Sequence, residues 1–387
     1  MLYYQQPYRK EVEVKILKRE GNRYLLSDTI LYPGGGGQPA DRGYAICSNG
    51  KFEMRHMGNL WHEIGGDCRD EKIKIILDWE YRYYLMRSHT AEHAFFRILE
   101  NEDARMGKVA LGEISSIIFE GDVSLEDIME AERKVRNMIK EGRKVRAFWI
   151  DKKEVRNYPQ LRIKIERIKD DRIRIVEIED HDLSACKGVH VRNLSEVEDF
   201  CVVGVRLGKK KEVKFVVGEM AREKHFEYSQ KLRKLMWERN QSMDSIESYI
   251  GNLERENAEL NEFAKRISNV VDFQMEQCGG LKIYSLYLPF GDYKVLQRRA
   301  MEIANQEDAV IFYGLGEKSV VCVAYNSRYQ WVKDEFLKLL RMRGGRGGGK
   351  GNFVSGSDRD PESFVQEAKK IICDKLIQLD GGENGSH

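Results

Sequence analysis

Two short pairs of histidine and cysteine are the residues of this chain whose types and spacing suggest chemistry. His89 and His93 are four residues apart, and so are Cys186 and His190. On a helix, side chains four apart lie on one face, so each pair could hold an ion if its stretch is helical. Imidazoles and a thiolate are ligands that zinc prefers; four could close a structural tetrahedron, or one could leave a position for water. Either pair alone could arise by chance, but both in a chain of eight histidines favour one shared site.

A glycine-rich segment is the second candidate site. Four glycines at 34–37 are framed by Thr29 and Gln38. Glycine lets a ligand approach the backbone closely and exposes N–H groups. No Gly-Lys-Ser/Thr follows, so the segment is not a phosphate-binding P-loop. A flexible surface loop is the alternative, but the two neutral side chains favour recognition of a small polar group beside a metal.

A segment rich in arginine and glycine lies near the end of the sequence. It contains Arg343, Arg346 and Lys350, and no acidic residue occurs before Asp358. Cations on a glycine backbone can follow a phosphate backbone closely, so the segment predicts a nucleic-acid contact. A solvated, mobile loop is the alternative interpretation.

The hydrophobic pattern predicts an α+β fold of four parts. Alternating apolar residues predict a small β-barrel over 1–77, with the glycine-rich segment inside it. An α/β domain is expected over 78–216 and holds both metal pairs, the first on a helix from about Asp78 to Leu99. Residues 217–275 predict a long helical, coiled-coil linker, and 276–387 an α/β C-terminal domain.

Local signals place further elements in the second part. Ser124 with Asp127 three residues later predicts a capped helix over Leu125–Glu141. Apolar alternation over Ile163–Arg167 and Arg172–Ile178 predicts a β-hairpin.

The linker has a heptad register. Apolar residues recur with 4-3 spacing from Ile246 to Val271, and Asn257 falls at an a position, which favours two parallel strands. The register extends back to Leu232, which predicts a helix roughly 60 Å long. A homodimer through the linker and C-terminal domain is therefore expected. A helix or helical hairpin packed on its own chain is the alternative, and Gly251 weakens an uninterrupted helix.

Composition limits the class of protein. The 387 residues are 41% hydrophobic and 33% charged, with net charge +2, which fits an intracellular protein and demands no nucleic-acid partner. The high charged fraction also fits a hot habitat. Seven cysteines, an odd number, argue against a disulfide framework. No membrane-spanning run or signal-peptide pattern is found, so we expect a cytoplasmic protein without a membrane partner.

The motifs together resemble a known family. The segment from Asp28 to Gln38, the His-Thr-Ala-x-His at 89–93 and the Cys-x-Gly-x-His at 186–190 resemble signatures of the alanyl-tRNA synthetase editing domain. The segment at 344–351 resembles the C-terminal domain of that synthetase, which is also attached to DHH phosphoesterases. The order of parts is similar to that of the long-form AlaX family of free-standing trans-editing proteins. No class II aminoacylation domain precedes the barrel, so ATP-dependent aminoacylation is not expected.

The resemblance implies a zinc-dependent hydrolase that deacylates seryl-tRNA(Ala), with glycyl-tRNA(Ala) as a second substrate. It implies one zinc ion per chain, with ligands His89, His93, Cys186 and His190. The implied substrate-binding residues are Thr29, Gly35, Gly36, Gly37 and Gln38, and the implied tRNA-binding residues are Arg343, Arg346 and Lys350. Thr29 would bond the serine hydroxyl, which alanine lacks, and such sites discriminate strongly.

The sequence leaves the mechanism open. Zinc could lower the pKa of a bound water to about 7, or hold the substrate's α-amino group while a separate water attacks. No catalytic residue is assigned. Glu92 is not expected to bind the metal; it would point away from it or support its ligands. Lys187 and Val189 replace a glycine and a threonine of the family motif, and Lys187 could face the tRNA end.

Two other classes of protein fit parts of the sequence. His-x-x-Glu-His is also the inverzincin pattern, with Glu92 as the general base of a zinc peptidase. That interpretation leaves Cys186, His190 and the glycine-rich segment unexplained. A non-catalytic tRNA-binding protein with a structural zinc would bind tRNA but leave the aminoacyl ester intact.

Overall fold

The structure, a computed structural model, divides into two units and describes residues 1–101, 104–168 and 170–382. The first unit is Met1–Leu235 and the second Met236–His387. Each unit is described by itself. The finer four-part division stays a prediction, and residues 383–387 of its last part lie outside the described residues. In the described part of the chain, no helix is both long and apolar enough to cross a membrane.

Alternating apolar residues at the start of the chain close a six-stranded barrel, as predicted. Val12 and Val14 are buried between exposed Glu11 and Glu13, because successive side chains of a strand point to opposite faces. A short helix, α1 (Leu2–Gln5), precedes the barrel. The antiparallel strands follow the order β1-β2-β5-β4-β3-β6. Their bounds are Glu11–Glu20 (β1), Arg23–Leu26 (β2), Gly43–Cys47 (β3), Gly50–Gly58 (β4), Trp61–Ile64 (β5) and Lys72–Leu77 (β6).

One helix, α2 (Trp79–Asn101), runs through the core of the first unit and matches the helix predicted to carry the first metal pair. Nine consecutive residues of it, 88–96, are buried, so burial extends to every side of the helix. A helix that is apolar on most sides is a buried helix. The metal pair is therefore held on an element that the surrounding core keeps in place.

Two small sheets and a second helix complete the first unit. Helix α3 (Leu125–Glu141) has the predicted capping box of Ser124 and Asp127. The sheets have the orders β11-β10-β9 and β12-β13-β8-β7. Their strands are Arg105–Ala110 (β7), Ser115–Glu120 (β8), Val145–Asp151 (β9), Arg172–Ile178 (β10), Asp182–Ala185 (β11), Phe200–Arg206 (β12) and Lys211–Val217 (β13). Three 3₁₀ turns occupy Lys152–Asn157, Ile165–Arg167 and Leu194–Val197.

The predicted hairpin over Ile163–Arg167 and Arg172–Ile178 is wrong. Residues Ile165–Arg167 form a 3₁₀ turn, and β10 pairs with β9 on one side and β11 on the other. Four consecutive residues of β10, from Ile173 to Val176, are buried. A strand buried on both faces occupies the middle of its sheet, so both its edges are taken by other strands.

The predicted continuous helix from Leu232 to Val271 is also wrong. The chain forms two helices, α4 (Gly218–Glu238) and α5 (Ile246–Val270). The N–H of Gln241 donates to Met236 O at 2.8 Å, and Asn240 has a φ of 51°, which closes a helix end. The heptad residues of α5 include exposed Leu260, and dimerisation stays a prediction.

A six-stranded mixed sheet is the centre of the second unit, in the order β14-β15-β16-β17-β19-β18. Its strands are Gln274–Cys278 (β14), Leu281–Leu288 (β15), Val310–Leu315 (β16), Ser319–Ala324 (β17), Arg346–Lys350 (β18) and Phe353–Ser357 (β19), with a 3₁₀ turn at Ser327–Tyr329. Helices α7 (Gln330–Met342) and α8 (Pro361–Gly382) share one core with the sheet, and α6 (Tyr293–Gln306) shares another. These strand and helix positions agree with the predicted α/β pattern.

The segment rich in arginine and glycine is an ordered edge hairpin, β18 and β19. Close packing explains why glycine occupies several positions of this hairpin. A Cβ on Gly347 would lie 2.4 Å from Ser355 O, and one on Gly356 would lie 2.3 Å from Leu340 Cδ2. The glycines therefore allow close contact within the hairpin and with α7, independently of any ligand.

The expectation of no disulfides is wrong. Cys47 is bonded to Cys68 in the barrel, and Cys278 to Cys373 in the second unit. The Cα atoms of the pairs are 5.8 and 5.3 Å apart, within the range that disulfides need. Separations of 21 and 95 residues hide such pairs from sequence patterns. The remaining thiols are Cys186, Cys201 and Cys322.

We predict that unfolded, unreduced protein reacts with iodoacetamide at three cysteines, and at all seven after reduction, as mass spectrometry would show. Because a cross-link restricts the unfolded chain, reduction should cost about 3 kcal/mol for the shorter loop and about 4–5 kcal/mol for the longer one. Cys322→Ala, which removes a free thiol, is the control. Seven modified cysteines without reduction would contradict the pairing.

Candidate metal centre

The four predicted ligands meet at one point of the first unit. His89 and His93 lie on α2, and Cys186 and His190 follow β11. Cys186 Sγ is 3.5 Å from His89 Nε2 and 3.4 Å from His190 Nε2. All four ligand atoms lie within 4.8 Å of one another. The second pair is not on a helix, so the helical geometry considered for it is wrong, and an extended segment brings it to the centre instead.

An acidic partner determines the protonation of the His93 ring. His93 Nδ1 lies 2.9 Å from Asp182 Oδ2, which also accepts bonds from Arg162 and Ser184. A carboxylate can only accept here, so Nδ1 carries a proton and Nε2 is the nitrogen that could bind a metal. Burial raises the pKa of Asp182, but its bonds to His93 and Arg162 outweigh this and hold that pKa well below its usual value. A carboxylate behind an imidazole is a common support of metal-binding histidines.

A hydroxyl determines the protonation of the His190 ring. Thr90 Oγ1 donates to Met86 O at 2.8 Å, which uses its one proton. His190 Nδ1 lies 3.2 Å from the same oxygen, so this nitrogen must be the donor. His190 Nε2 is thereby left free to bind a metal.

The side chain of Gln38 determines the protonation of the His89 ring. The backbone N–H of Val189 donates to Gln38 Oε1 at 3.1 Å, which identifies that atom as the amide oxygen. His89 Nδ1 lies 2.8 Å from the same oxygen and is therefore a donor. All three imidazoles thus direct their Nε2 atoms towards Cys186. Burial lowers the pKa of His93, but its bonds to Asp182 and Cys186 outweigh this and raise that pKa to about 10, so a bound metal would replace the Nε2 proton of this ring.

The thiol completes a donor set that fits a metal. Burial opposes ionisation of Cys186, but His89 and His190 hold the pKa of this thiol well below its usual value. The N–H of Gly188 also donates to Cys186 Sγ at 3.3 Å. Three imidazoles that give up their Nε2 protons on binding and a thiolate form a donor set for zinc. The cluster could therefore bind a metal such as zinc.

Two residues shape the segment that carries Cys186 and His190. Arg174 donates from Nη1 to Cys186 O at 2.9 Å and to Gly188 O at 2.7 Å. A Cβ on Gly188 would lie 2.1 Å from His89 Cε1, so only glycine leaves room for that ring. Sequence patterns do not identify Arg174, Asp182 and Thr90 as supporting residues, because their partners are far away in the chain. Thr90 alone had a signal, since it lies between two predicted ligands.

A buried ion pair connects the metal-binding helix to the glycine-rich segment. Arg82 of α2 and Asp41 are both fully buried in their side chains, and Arg82 Nε lies 2.8 Å from Asp41 Oδ1. Arg82 also donates to Ile30 O at 2.7 Å and to Pro7 O at 3.0 Å. Arg82, which no sequence pattern singles out, fixes the loop beside the histidines.

The glycine-rich segment is a tight turn that positions Gln38. Gly35 and Gln38 exchange two backbone hydrogen bonds of 2.9 and 3.1 Å. All four glycines have positive φ, and a Cβ on Gly37 would lie 2.7 Å from Val109 O. Of the predicted substrate-binding residues, the structure therefore brings Gln38 directly to the metal ligands. The flexible loop considered for this segment is replaced by an ordered turn.

Thr29 belongs to a separate polar group inside the barrel. His62 Nδ1 lies 2.9 Å from Leu60 O, so it is a donor, and the Thr29 hydroxyl donates to His62 Nε2 at 2.9 Å. Burial lowers the pKa of His62 to about 3, which keeps its ring neutral. His56 stacks on His62 with ring centres 4.7 Å apart. Hydrogen bonds join Thr29 to His62 and to Leu31 N–H, not to the four metal ligands.

The predicted tRNA-binding residues lie in the second unit and differ in their contacts. Arg343 donates to Asp358 at 3.0 Å and to Glu367 at 2.6 Å, so two ion pairs hold it. Arg346 and Lys350 are exposed on the edge strand β18. The last two are therefore more accessible to a ligand than Arg343.

One family model matches the part of the chain that carries two of the four candidate ligands. A family model described as "Threonyl and Alanyl tRNA synthetase second additional domain" matches residues 173–215, which contain Cys186 and His190. The chain is 33% identical to the alanyl-tRNA editing protein AlaX-L of Pyrococcus horikoshii, over 51% of this chain and 52% of that protein. It is 29% identical to AlaX-M of Methanosarcina barkeri, over 52% of this chain and 91% of that protein.

Longer relatives match most of the chain. The alanine–tRNA ligase of Aeropyrum pernix is 26% identical over 92% of this chain and 43% of the ligase. The chain thus spans about half the length of AlaX-L and less than half that of the ligase. A solved structure, the C-Ala domain of Aquifex aeolicus alanyl-tRNA synthetase, matches 27% of this chain at 20% identity and a TM-score of 0.24.

We predict that Gly188→Ala weakens zinc binding at this centre by about 10–100-fold, because the new Cβ displaces the His89 ring and its Gln38 partner. Competition with a chromogenic chelator measures the affinity. Gly112→Ala is the matched control, since its Cβ would meet only Ile114 O at 3.9 Å. Equal zinc affinity in both variants would show that the close packing at 188 does not support the centre.

Proposed function

We propose that this chain, a relative of the alanyl-tRNA editing proteins, hydrolyses the ester of wrongly charged tRNA(Ala), with serine as the main amino acid and glycine as the second. The observation that carries the proposal is the set of three imidazoles whose Nε2 atoms face the Cys186 thiolate, with Gln38 bonded to one of them. One zinc ion at this centre, held by His89, His93, Cys186 and His190, would supply positive charge beside the ester.

Gln38 has a free donor for the reacting ester. Its Oε1 accepts from His89 and Val189, whereas its Nε2 is buried and has no hydrogen-bond partner among the described residues. A buried donor without an acceptor is costly, so such an atom is expected to find one in the substrate. We assign Gln38 Nε2 to the carbonyl oxygen of the ester, where negative charge develops during hydrolysis.

Thr29 is proposed to select serine. Its hydroxyl already bonds the neutral ring of His62, and His56 Nε2 is a second buried atom without a partner among the described residues. A serine hydroxyl could join this polar group, whereas the methyl group of alanine would leave it incomplete. Sites built to bond a hydroxyl discriminate far more strongly than apolar pockets do.

A cavity beside Cys186 suits the end of the tRNA. It has a volume of about 440 Å³, and Arg172, Arg174 and Lys187 line it together with Asp170, which forms an ion pair with Lys187. The Lys187 side chain is 62% exposed, and Arg172 lies over the Trp149 ring at 5.7 Å. Cations and an exposed aromatic ring suit a phosphate and a base. We assign this cavity to the terminal nucleotide.

Further contacts and the cellular setting are part of the proposal. Arg346 and Lys350 are assigned to tRNA contacts. Arg343 is also assigned to tRNA contacts, and its ion pairs support the hairpin. The helices α4 and α5 and the C-terminal domain are proposed to form a homodimer, and the protein is proposed to act in the cytoplasm.

A non-catalytic tRNA-binding protein is the second candidate, favoured by one observation. Four protein ligands can close a zinc site completely, as structural sites do. Such a protein would bind tRNA(Ala) and leave its ester intact. The relatives found give no support to a zinc peptidase, in which Glu92 would be the base.

We expect the wild-type protein to release serine from Ser-tRNA(Ala) much faster than alanine from Ala-tRNA(Ala). His93→Ala should lose zinc from this centre and lose activity by at least about 10²-fold, because one ligand and its Asp182 support are gone. Radiolabel release with zinc analysis in parallel measures both. His181→Gln, which alters a histidine outside the four ligands, is the control. Zinc-loaded protein that binds tRNA but releases neither amino acid would favour the second candidate.

Two substitutions should separate selection from catalysis. Thr29→Val removes the hydroxyl at nearly constant volume, so we expect the preference for serine over alanine to fall at least tenfold. Gln38→Glu keeps an oxygen for His89 and Val189 but loses the Nε2 donor, so kcat should fall by about 10²–10³ with zinc retained. Steady-state kinetics on both substrates measure these changes. Unchanged selectivity in Thr29→Val would remove Thr29 from the serine site.

A further inference from the structure

A second group of metal-ligand side chains lies in the first unit, apart from the candidate metal centre. Glu132 of α3, Cys201 of β12 and His225 of α4 place one ligand atom each within 4.8 Å of one another. Asp199 lies beside them, with Oδ2 at 3.8 Å from His225 Nε2. We call these four residues the second cluster. They come from three elements that are distant in sequence, so only the fold brings them together.

The distances in the second cluster are close to those of a ligand shell. Glu132 Oε1 and Asp199 Oδ2 lie 3.9 and 3.8 Å from His225 Nε2. At the candidate metal centre the sulfur–nitrogen distances are 3.4 and 3.5 Å. The three atoms of Glu132, Cys201 and His225 lie within the same 4.8 Å limit as the four ligand atoms of that centre, and Asp199 lies beside them at 3.8 Å from His225.

Backbone and side-chain donors hold both carboxylates in place. Glu132 Oε1 accepts from Val202 N–H at 3.1 Å, and Asp199 Oδ1 accepts from Phe200 N–H at 2.9 Å and from Arg136 Nε at 2.8 Å. These bonds leave lone pairs of both carboxylates available. Ligands supported in this way by outer partners are typical of protein metal sites.

The charges also balance. The two carboxylates and a Cys201 thiolate carry three negative charges, and Arg136 carries one positive charge. A divalent ion would make the sum zero. Without an ion, burial raises the pKa of the Cys201 thiol to about 12, so the thiol stays protonated.

We propose that Glu132, Asp199, Cys201 and His225 bind a divalent zinc-class metal ion, in addition to the ion at the candidate metal centre. One thiolate, one imidazole and two carboxylates are ligands that zinc accepts. Binding releases the Cys201 proton to solvent. His225 Nε2, which now donates to Phe200 O at 3.1 Å, gives its proton up, and Nδ1 carries one instead, so the ring stays neutral.

The place of the second cluster suggests what the ion would do. A surface cavity of about 400 Å³ is lined by Glu132, Cys201 and His225 and gives the ion a route from solvent, with the cations Arg133, Arg136 and Lys140 also in its lining. The ion would connect α3 and β12 to α4 near the start of that helix. It would thereby stabilise the packing of α4 on the first unit.

Metal analysis of the full chain tests the proposal. After saturation with zinc and removal of unbound ion, the wild type should hold two equivalents. Cys201→Ser, His225→Gln and Glu132→Gln should each hold one, and His89→Ala should also hold one. His181→Gln is the matched control and should hold two, because its Nε2 donates to the backbone oxygen of Ala94 as that of His225 does to Phe200.

Cobalt gives an independent measurement of the thiolate. The absorption from thiolate-to-cobalt charge transfer should fall by about half in Cys201→Ser, since Cys186 supplies the other half. Glu132→Gln keeps an oxygen for Val202 N–H, so it decides the question if Cys201→Ser does not fold. The proposal would be overturned if the wild type held one equivalent of zinc and His89→Ala removed it, or if His225→Gln and Glu132→Gln held two.

Discussion

The buried ion pair of Arg82 and Asp41 is the interaction on which the arrangement of the first unit depends. Both side chains are fully buried, and the guanidinium also donates to the backbone oxygens of Pro7 and Ile30. A buried charge is tolerated only when it is paired and hydrogen-bonded, and removal of one partner typically costs 3–5 kcal/mol. Because Arg82 is on α2 and Asp41 lies three residues after Gln38, this pair joins the helix of His89 to the chain that follows the glycine-rich segment.

The chemistry of the candidate metal centre comes from partners behind its ligands. Asp182, Thr90 and Gln38 each accept a hydrogen bond from the Nδ1–H of one imidazole. Every Nε2 therefore faces Cys186. A histidine without such a partner could present either nitrogen. The amide of Gln38 that orients His89 through Oε1 leaves its Nε2 without a partner among the described residues, so one side chain both supports a candidate ligand and holds a free donor.

Cross-links recur throughout the molecule. Disulfides join Cys47 to Cys68 and Cys278 to Cys373, the candidate metal centre joins α2 to the segment after β11, and the second cluster would join α3, β12 and α4. Each connects parts that are distant in the chain, and such links restrict the unfolded chain most. Small sheets with limited cores gain stability from connections of this kind.

The sequence by itself determined the elements and the ligand identities. Period-two apolar residues define the barrel, the capping box of Ser124 begins α3, and the two spaced pairs identify His89, His93, Cys186 and His190, because these signals act over a few residues. Tertiary structure decided everything that depends on distant partners. It ended α4 at a turn, paired β10 with β9 and β11, formed two disulfides, and placed Arg82, Asp182 and Gln38 around the ligands. A local pattern holds no information about which distant side chain supplies a buried hydrogen bond, since that is settled only when the core closes.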